Sequence, residues 1–140
     1  MENYDCLKLE NQLCFPLYAA SREIMRKYTP ILKKIDLTYT QYIVMMVMWE
    51  KKTLNVGELG KCLYLDTGTL SPLLKAMEEK GLLSRSRDKN DERVVTVTIS
   101  KKGEELREKA LSVPGEIGKC LSISADEAKT LYGILYKMLG

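Results

Sequence analysis

Residues 53–100 read TLNVGELGKCLYLDTGTLSPLLKAMEEKGLLSRSRDKNDERVVTVTIS, and the order of signals in this stretch decides the fold. Asn55 and Glu58 make an N-x-x-E start for a short helix ending near Leu63. A second helix is predicted from Asp66 or Thr67 to Lys80, with Leu70, Leu73, Leu74 and Met77 as its apolar set and Gly81 as its stop. Pro72 lies early in that pattern, so the helix either starts late or has a distorted first turn. Leu82 to Arg87 and Val94 to Ile99 read as strands. In the second, Val95, Val97 and Ile99 alternate with Thr96, Thr98 and Ser100. Between the strands, Asp88 to Arg93 is a polar hairpin tip. Two short helices joined by a tight turn and followed by a charged ribbon specify a winged helix-turn-helix.

The flanks are helical. Leu13, Leu17, Ala20, Ile24, Tyr28, Ile31 and Ile35 recur at three- and four-residue steps, and Leu37 lies just past the end of this long helix. Thr38 and Gln41 form a capping box that opens a helix from Tyr39 to about Glu50. Helix resumes after Ser100 and is interrupted or ended by Pro114-Gly115. Ser124 and Glu127 cap a last helix with Ala128, Leu131, Leu135 and Leu139 on one face. The expected architecture is mainly α with a small β-hairpin wing: one domain over 1–140, with a DNA-binding lobe at about 53–100. The flanking helices, about 7–36 and 101–140, carry more apolar surface than so small a core needs. They predict a helical dimerisation layer and a homodimer that reads the half-sites of a pseudo-palindromic operator in duplex DNA.

Composition narrows the function. The chain has 140 residues, 45% hydrophobic and 29% charged, as a soluble globular domain does. No apolar run reaches the roughly 20 residues needed to cross a membrane. Met1 to Cys6 has neither a basic start nor an apolar core, so a cytoplasmic protein without membrane contact is expected. There is no histidine, and the four cysteines (Cys6, Cys14, Cys62, Cys120) form no C-x-x-C pair. Zinc-finger, His-based metal and Ser-His-Asp readings therefore fail; no metal, no cofactor and no enzyme is expected. The net charge of +3 is uninformative, but its distribution is not. Lys80, Arg85, Arg87, Lys89, Arg93, Lys101 and Lys102 face only Asp88, Asp91 and Glu92 within residues 80–102. Such a stripe is what phosphate contact requires, although a solvated charged loop fits the composition equally well.

In this arrangement the helix from Thr67 would lie in the major groove. Thr67, Thr69 and Ser71 offer hydroxyls to base edges, unless some of them serve as helix caps. Lys75 would reach a phosphate or a base, and Arg85 and Arg87 belong to the basic stripe. Arg93 at the hairpin tip would enter the minor groove, held by a bidentate pair with Asp91; a solvated ion pair is the plainer alternative.

The segments Tyr64 to Lys75, Met77-Glu78, Lys80 to Leu83 and Asp91-Glu-Arg93 resemble the MarR family of winged-helix regulators along essentially the whole chain. Residues 9–22, LENQLCFPLYAASR, are similar to the signature of its organic-hydroperoxide-resistance (OhrR) branch. That resemblance implies a repressor whose reactive cysteine is Cys14, with Tyr28 and Tyr39 beside it across the dimer interface and an organic hydroperoxide as inducer. It also implies one of two fates for the oxidised cysteine. Either small thiols react with it, or a resolving cysteine near the C-terminus bridges to it from the other subunit, for which Cys120 stands in the right region.

The residues themselves give weaker support. Cys14 is placed near a helix start, two residues before Pro16, where exposed N–H groups favour a thiolate. Leu13, Phe15, Leu17 and Met25 would favour lipid-like or aryl peroxides. Without the resemblance, a lone cysteine on an apolar helix reads more simply as buried and inert. Cys120 is expected in a loop between the last two helices, with burial as its alternative role. Cys62 is expected to be a packing residue, and Cys6 lies in a tail. Three rival functions remain: a regulator relieved by a small aromatic ligand near Tyr28 and Tyr39, a thiol peroxidase, and a winged helix used only for protein contacts.

Overall fold

The computed structural model describes residues 3–140. Among them are the helices α1 (Cys14–Lys33), α2 (Tyr39–Lys51), α3 (Val56–Leu63), α4 (Thr67–Glu79), α5 (Lys101–Ala110), α6 (Val113–Cys120) and α7 (Ala125–Leu139), and the strands β1 (Thr53–Asn55), β2 (Leu83–Arg87) and β3 (Val95–Ile99). Most helix starts follow from single side chains. Thr38 and Gln41 make the reciprocal box of α2, and Ser124 and Glu127 that of α7. Asn55, Asp66 and Ser100 accept the third backbone N–H of α3, α4 and α5. After α4 the chain reverses at Gly81, whose φ of 79° suits a residue without a Cβ.

The sheet departs from the expected two-stranded ribbon. β1 is a third strand, antiparallel to β3 in the order β1-β3-β2, with Leu54 opposite Val97 and Arg85 opposite Val97 on the other side. Three residues are too few for a period of two to register in a sequence. β1 binds the foot of the wing to α3 and buries Leu54. Leu32, Met45, Met48, Leu59, Leu70, Leu74, Met77 and Val97 form one fully buried core beneath α1, α2, α4 and the sheet. α4 is not delayed by Pro72: Asp66 caps it, it starts at Thr67, and the missing amide costs one bond to the exposed Gly68. Pro114-Gly115 does not end a helix either. The break falls at Leu111-Ser112, and Pro114 occupies the first turn of α6, where no amide partner is lost. Consequently Cys120 is the last residue of a helix, not part of a loop.

Polar ties fix α4 to its surroundings. The Lys80 ammonium donates to the Asp36 carbonyl at 2.7 Å and to Gln41 Oε1 at 2.9 Å, and Gln41 is itself buried. Lys102 Nζ donates to the Lys80 carbonyl at 2.7 Å. The Trp49 indole donates to the Gly103 carbonyl at 2.8 Å in the interior, where an unpaired indole N–H would be costly. The two ends of the chain are less well covered. α7 has no buried residue, and Leu13, Phe15, Leu17, Tyr132, Ile134, Tyr136 and Met138 are all exposed. No helix is long and apolar enough to cross a membrane among the described residues.

Candidate functional site

Two sets of residues are candidates. The first is the outer face of α4 with the wing. Leu70, Leu74 and Met77 turn α4 into the core, which leaves Thr67, Thr69, Ser71 and Lys75 on the exposed side. Two of the three hydroxyls already have local partners. Hydrogen bonds from the Thr69 side chain, then from its amide, hold the Asp66 carboxyl below its ordinary range, and Ser71 donates to the Thr67 carbonyl at 2.9 Å. Thr67 faces a cleft of about 340 Å³ between α4 and the wing, lined also by Ser71, Arg87 and Arg93.

At the wing tip, Arg93 Nε and Nη2 reach Asp91 Oδ1 and Oδ2 at 3.1 and 3.4 Å, the expected fork, while Arg93 stays 90% exposed. Hydrogen bonds from the Arg93 side chain, then from its backbone, hold the Asp91 carboxyl below its ordinary range. Arg87 closes the tip by donating to the Glu92 carbonyl at 2.7 Å. Arg85 is placed differently from the rest of the stripe. It turns inward, its Nη2 lies 3.3 Å from Glu78 Oε1, and its Nε is buried without a hydrogen-bond partner among the described residues. It is therefore a strut between α4 and β2 rather than an outward phosphate contact. No sequence signal marked Glu78 for this role, because the pair joins a helix to a strand across Gly81.

The second set is Cys14 and the tyrosines expected beside it. Cys14 is exposed in the first turn of α1. Tyr28 and Tyr39 are brought together, with ring centroids 4.7 Å apart, and Tyr42 joins them at 6.0 and 6.4 Å. Tyr42 was not among the expected site residues, although its position three residues after Tyr39 puts it on the same helical face. Burial, then repulsion from the Tyr39 and Tyr42 phenols, pushes the Tyr28 hydroxyl up to about 12. Burial also raises Tyr39, with Tyr136 of α7 adding to it. These phenols stay protonated at neutral pH and can only donate to an anion placed beside them.

Within one subunit Cys14 is not that anion. Fourteen residues of helix separate it from Tyr28, about 21 Å at 1.5 Å per residue. Cys120 lies at the tyrosine end: its carbonyl accepts from Lys27 Nζ at 2.9 Å, and its half-buried thiol donates to the Glu116 carbonyl. Cys62 is exposed on α3 and not a packing residue as expected, because the apolar face of that short helix is made by Val56 and Leu59. Cys6 is exposed in a turn ahead of α1.

The phenol environment has a measurable consequence. A folded value above the ordinary 10.0 means that the protonated phenol favours the fold. That contribution is complete below pH 10.0 and is lost as pH rises through about 12. Tyr28→Phe should therefore lose less stability than the parent over that interval in denaturant titrations, and its phenolate absorbance should lack the last-titrating component. Identical pH profiles would show that Tyr28 is not the group.

A family model described as transcriptional regulator SarA/Rot matches residues 26–110. The organic hydroperoxide resistance transcriptional regulator of Bacillus subtilis (strain 168) is 47% identical over 140 residues, covering 99% of this chain and 95% of its own. Reduced AbfR bound to DNA has a TM-score of 0.79 at 33% identity, covering 99% of this chain and 96% of its own. Disulfide-formed AbfR has a TM-score of 0.67 at 31% identity, covering 96% and 94%.

Proposed function

Because this chain belongs to the MarR-type winged-helix transcriptional regulators, within the SarA/Rot family model, we propose that it is a homodimeric repressor that leaves its operator when an organic hydroperoxide oxidises Cys14. DNA binding uses α4 and the wing. Thr67, Thr69 and Ser71 face the base edges, Lys75 and Arg87 serve the phosphates, and Arg93, splinted by Asp91, enters the minor groove. AbfR, similar over nearly its whole length, is solved on DNA in its reduced form.

The observation that carries the sensing half is the separation of the parts. Cys14 is exposed at one end of α1, while Tyr28, Tyr39 and Cys120 gather near the other. A pairing that brings the partner's Cys14 to the tyrosines brings it to Cys120 as well, and the apolar α7 and first turns of α1 supply the surface for that pairing. The Cys14 thiolate attacks the terminal peroxide oxygen. The S–O bond forms, the O–O bond breaks, and the alcohol leaves with a proton, giving a sulfenic acid. The Tyr28 and Tyr39 hydroxyls donate to the thiolate. Cys120 of the partner subunit then attacks the Cys14 sulfur and expels water, forming an intersubunit disulfide; a small thiol performs the same step if Cys120 does not reach.

A second reading has its own observation. An open groove of about 510 Å³ between α2 and α5 is lined by Tyr42, Met46 and Trp49 together with Glu50, Lys52 and Arg107, and offers a small aromatic anion a ring surface beside two cations. One titration separates the two. Fluorescence anisotropy of the reduced protein on duplex DNA from its own promoter should show tight binding whose log affinity falls linearly with log salt. One equivalent of cumene hydroperoxide should release it. Release by a phenolic acid with peroxide inert would favour the groove, and absence of salt-dependent DNA binding would remove both readings.

A further inference from the structure

We propose that Glu78 is a positioning residue for DNA recognition, setting the pitch of the wing against α4. The inference rests on the DNA-binding reading and adds a residue to it. Glu78 stands in the last turn of α4 and spans seven residues of chain to β2. Glu78 Oε2 accepts the Arg85 backbone N–H at 2.8 Å, and Oε1 lies 3.3 Å from the Arg85 guanidinium. The backbone bond, first, and the guanidinium hold its carboxyl below the ordinary range. β2 is an edge strand of the sheet, so on its outer side the ladder offers its amides no partner. Glu78 supplies one from the helix that the wing must work beside.

The location makes this tie mechanical. On β2, burial in the core ends at Leu83, and on β3 it reaches Val97, which stands opposite Arg85. Beyond Arg85, the strand runs to an exposed tip that carries Arg93. Among the described residues no other hydrogen bond or ion pair joins α4 to β2 or β3, so Glu78 is the outermost tie between the two reading elements. Its partner Arg85 lines the cleft together with Thr67, Ser71, Arg87 and Arg93. With the foot of the wing held by β1 and Val97, a small swing of the strands beyond Arg85 would carry Arg93 out of register with a minor groove while α4 keeps its major groove.

The test is a double-mutant cycle on promoter DNA, using Glu78→Gln, Glu78→Ala and Arg93→Ala. Glu78→Ala should weaken binding about tenfold, and the slope of log affinity against log salt should shrink by about one ionic contact. Glu78→Gln, which can still accept the amide, should fall between it and the parent. In the Arg93→Ala background neither change should cost anything further, because the contact that Glu78 positions is already gone. A merely structural role would instead lower the melting temperature with the salt slope unchanged, or weaken binding additively with Arg93→Ala. Either outcome overturns the proposal. If the parent protein itself ignores duplex DNA, the winged-helix reading has failed, and Glu78 falls with it.

Discussion

Cys14→Ser is expected to hold promoter DNA as tightly as the reduced parent and to keep holding it after an equivalent of cumene hydroperoxide. The parent should lose about 100-fold in affinity under the same treatment, within the ordinary range of coupling between two sites in one protein. The serine hydroxyl is nearly isosteric with the thiol but forms no sulfenic acid, so the switch is removed without changing the surface around it. Cys120→Ser then separates the two fates of the oxidised sulfur. If the intersubunit disulfide drives release, the parent should run as a covalent dimer on a non-reducing gel after peroxide, whereas Cys120→Ser should stay monomeric and remain on DNA until a small thiol is added. Release of Cys120→Ser by peroxide alone would make the disulfide dispensable. Release of Cys14→Ser would remove the sensing assignment altogether.

The largest stability loss is expected from Gly103→Ala. A Cβ at this position of α5 would collide with the Leu82 carbonyl oxygen and come within 2.9 Å of Ile99 Cγ1 and 3.2 Å of Met45 Cε. All three neighbours belong to the core or to the foot of the wing, and the nearest is backbone, so no side-chain rotation relieves the overlap. Any shift of α5 also stretches the bond from the Trp49 indole to the Gly103 carbonyl. A loss of about 3 kcal/mol, at the upper end for overpacking, should appear as a lower denaturant midpoint with little change in slope. Gly118→Ala in α6 is the internal comparison. Its Cβ would meet nothing within 4 Å, and the substitution should be neutral or stabilising by up to about 1 kcal/mol. Similar losses at the two positions would mean that α5 is not packed as described.

Most of the fold was legible because its helix starts are written in single residues. Thr38, Asn55, Asp66, Ser100 and Ser124 each carry a side-chain oxygen that accepts a backbone N–H, and each marks a boundary within a residue or so. β1 was not legible, since its reason for being a strand lies in β3, more than forty residues away. The prolines misled in a consistent way. Their cost depends on where in a helix the missing amide falls, which a sequence shows only once the boundary is known: Pro114 sits where none is needed, and Pro72 costs a single bond. At the site, the Asp91–Arg93 fork could be read from a spacing of two residues. The inward turn of Arg85 could not, because it depends on how closely the last turn of α4 approaches β2.

The roughly 21 Å of α1 that separate Cys14 from Tyr28 carry a consequence for inheritance. In the proposed dimer each sensing site takes its cysteine from one chain and its phenols from the other. A chain lacking Cys14 and a chain lacking Tyr28 are each blind when paired with themselves. Paired with one another, they rebuild one complete site from the Cys14 of the second and the Tyr28 of the first, and concentrate both lesions in the other. Two recessive alleles of this gene in one cell would thus complement. A protein that sensed peroxide within a single chain could not rescue itself in this way.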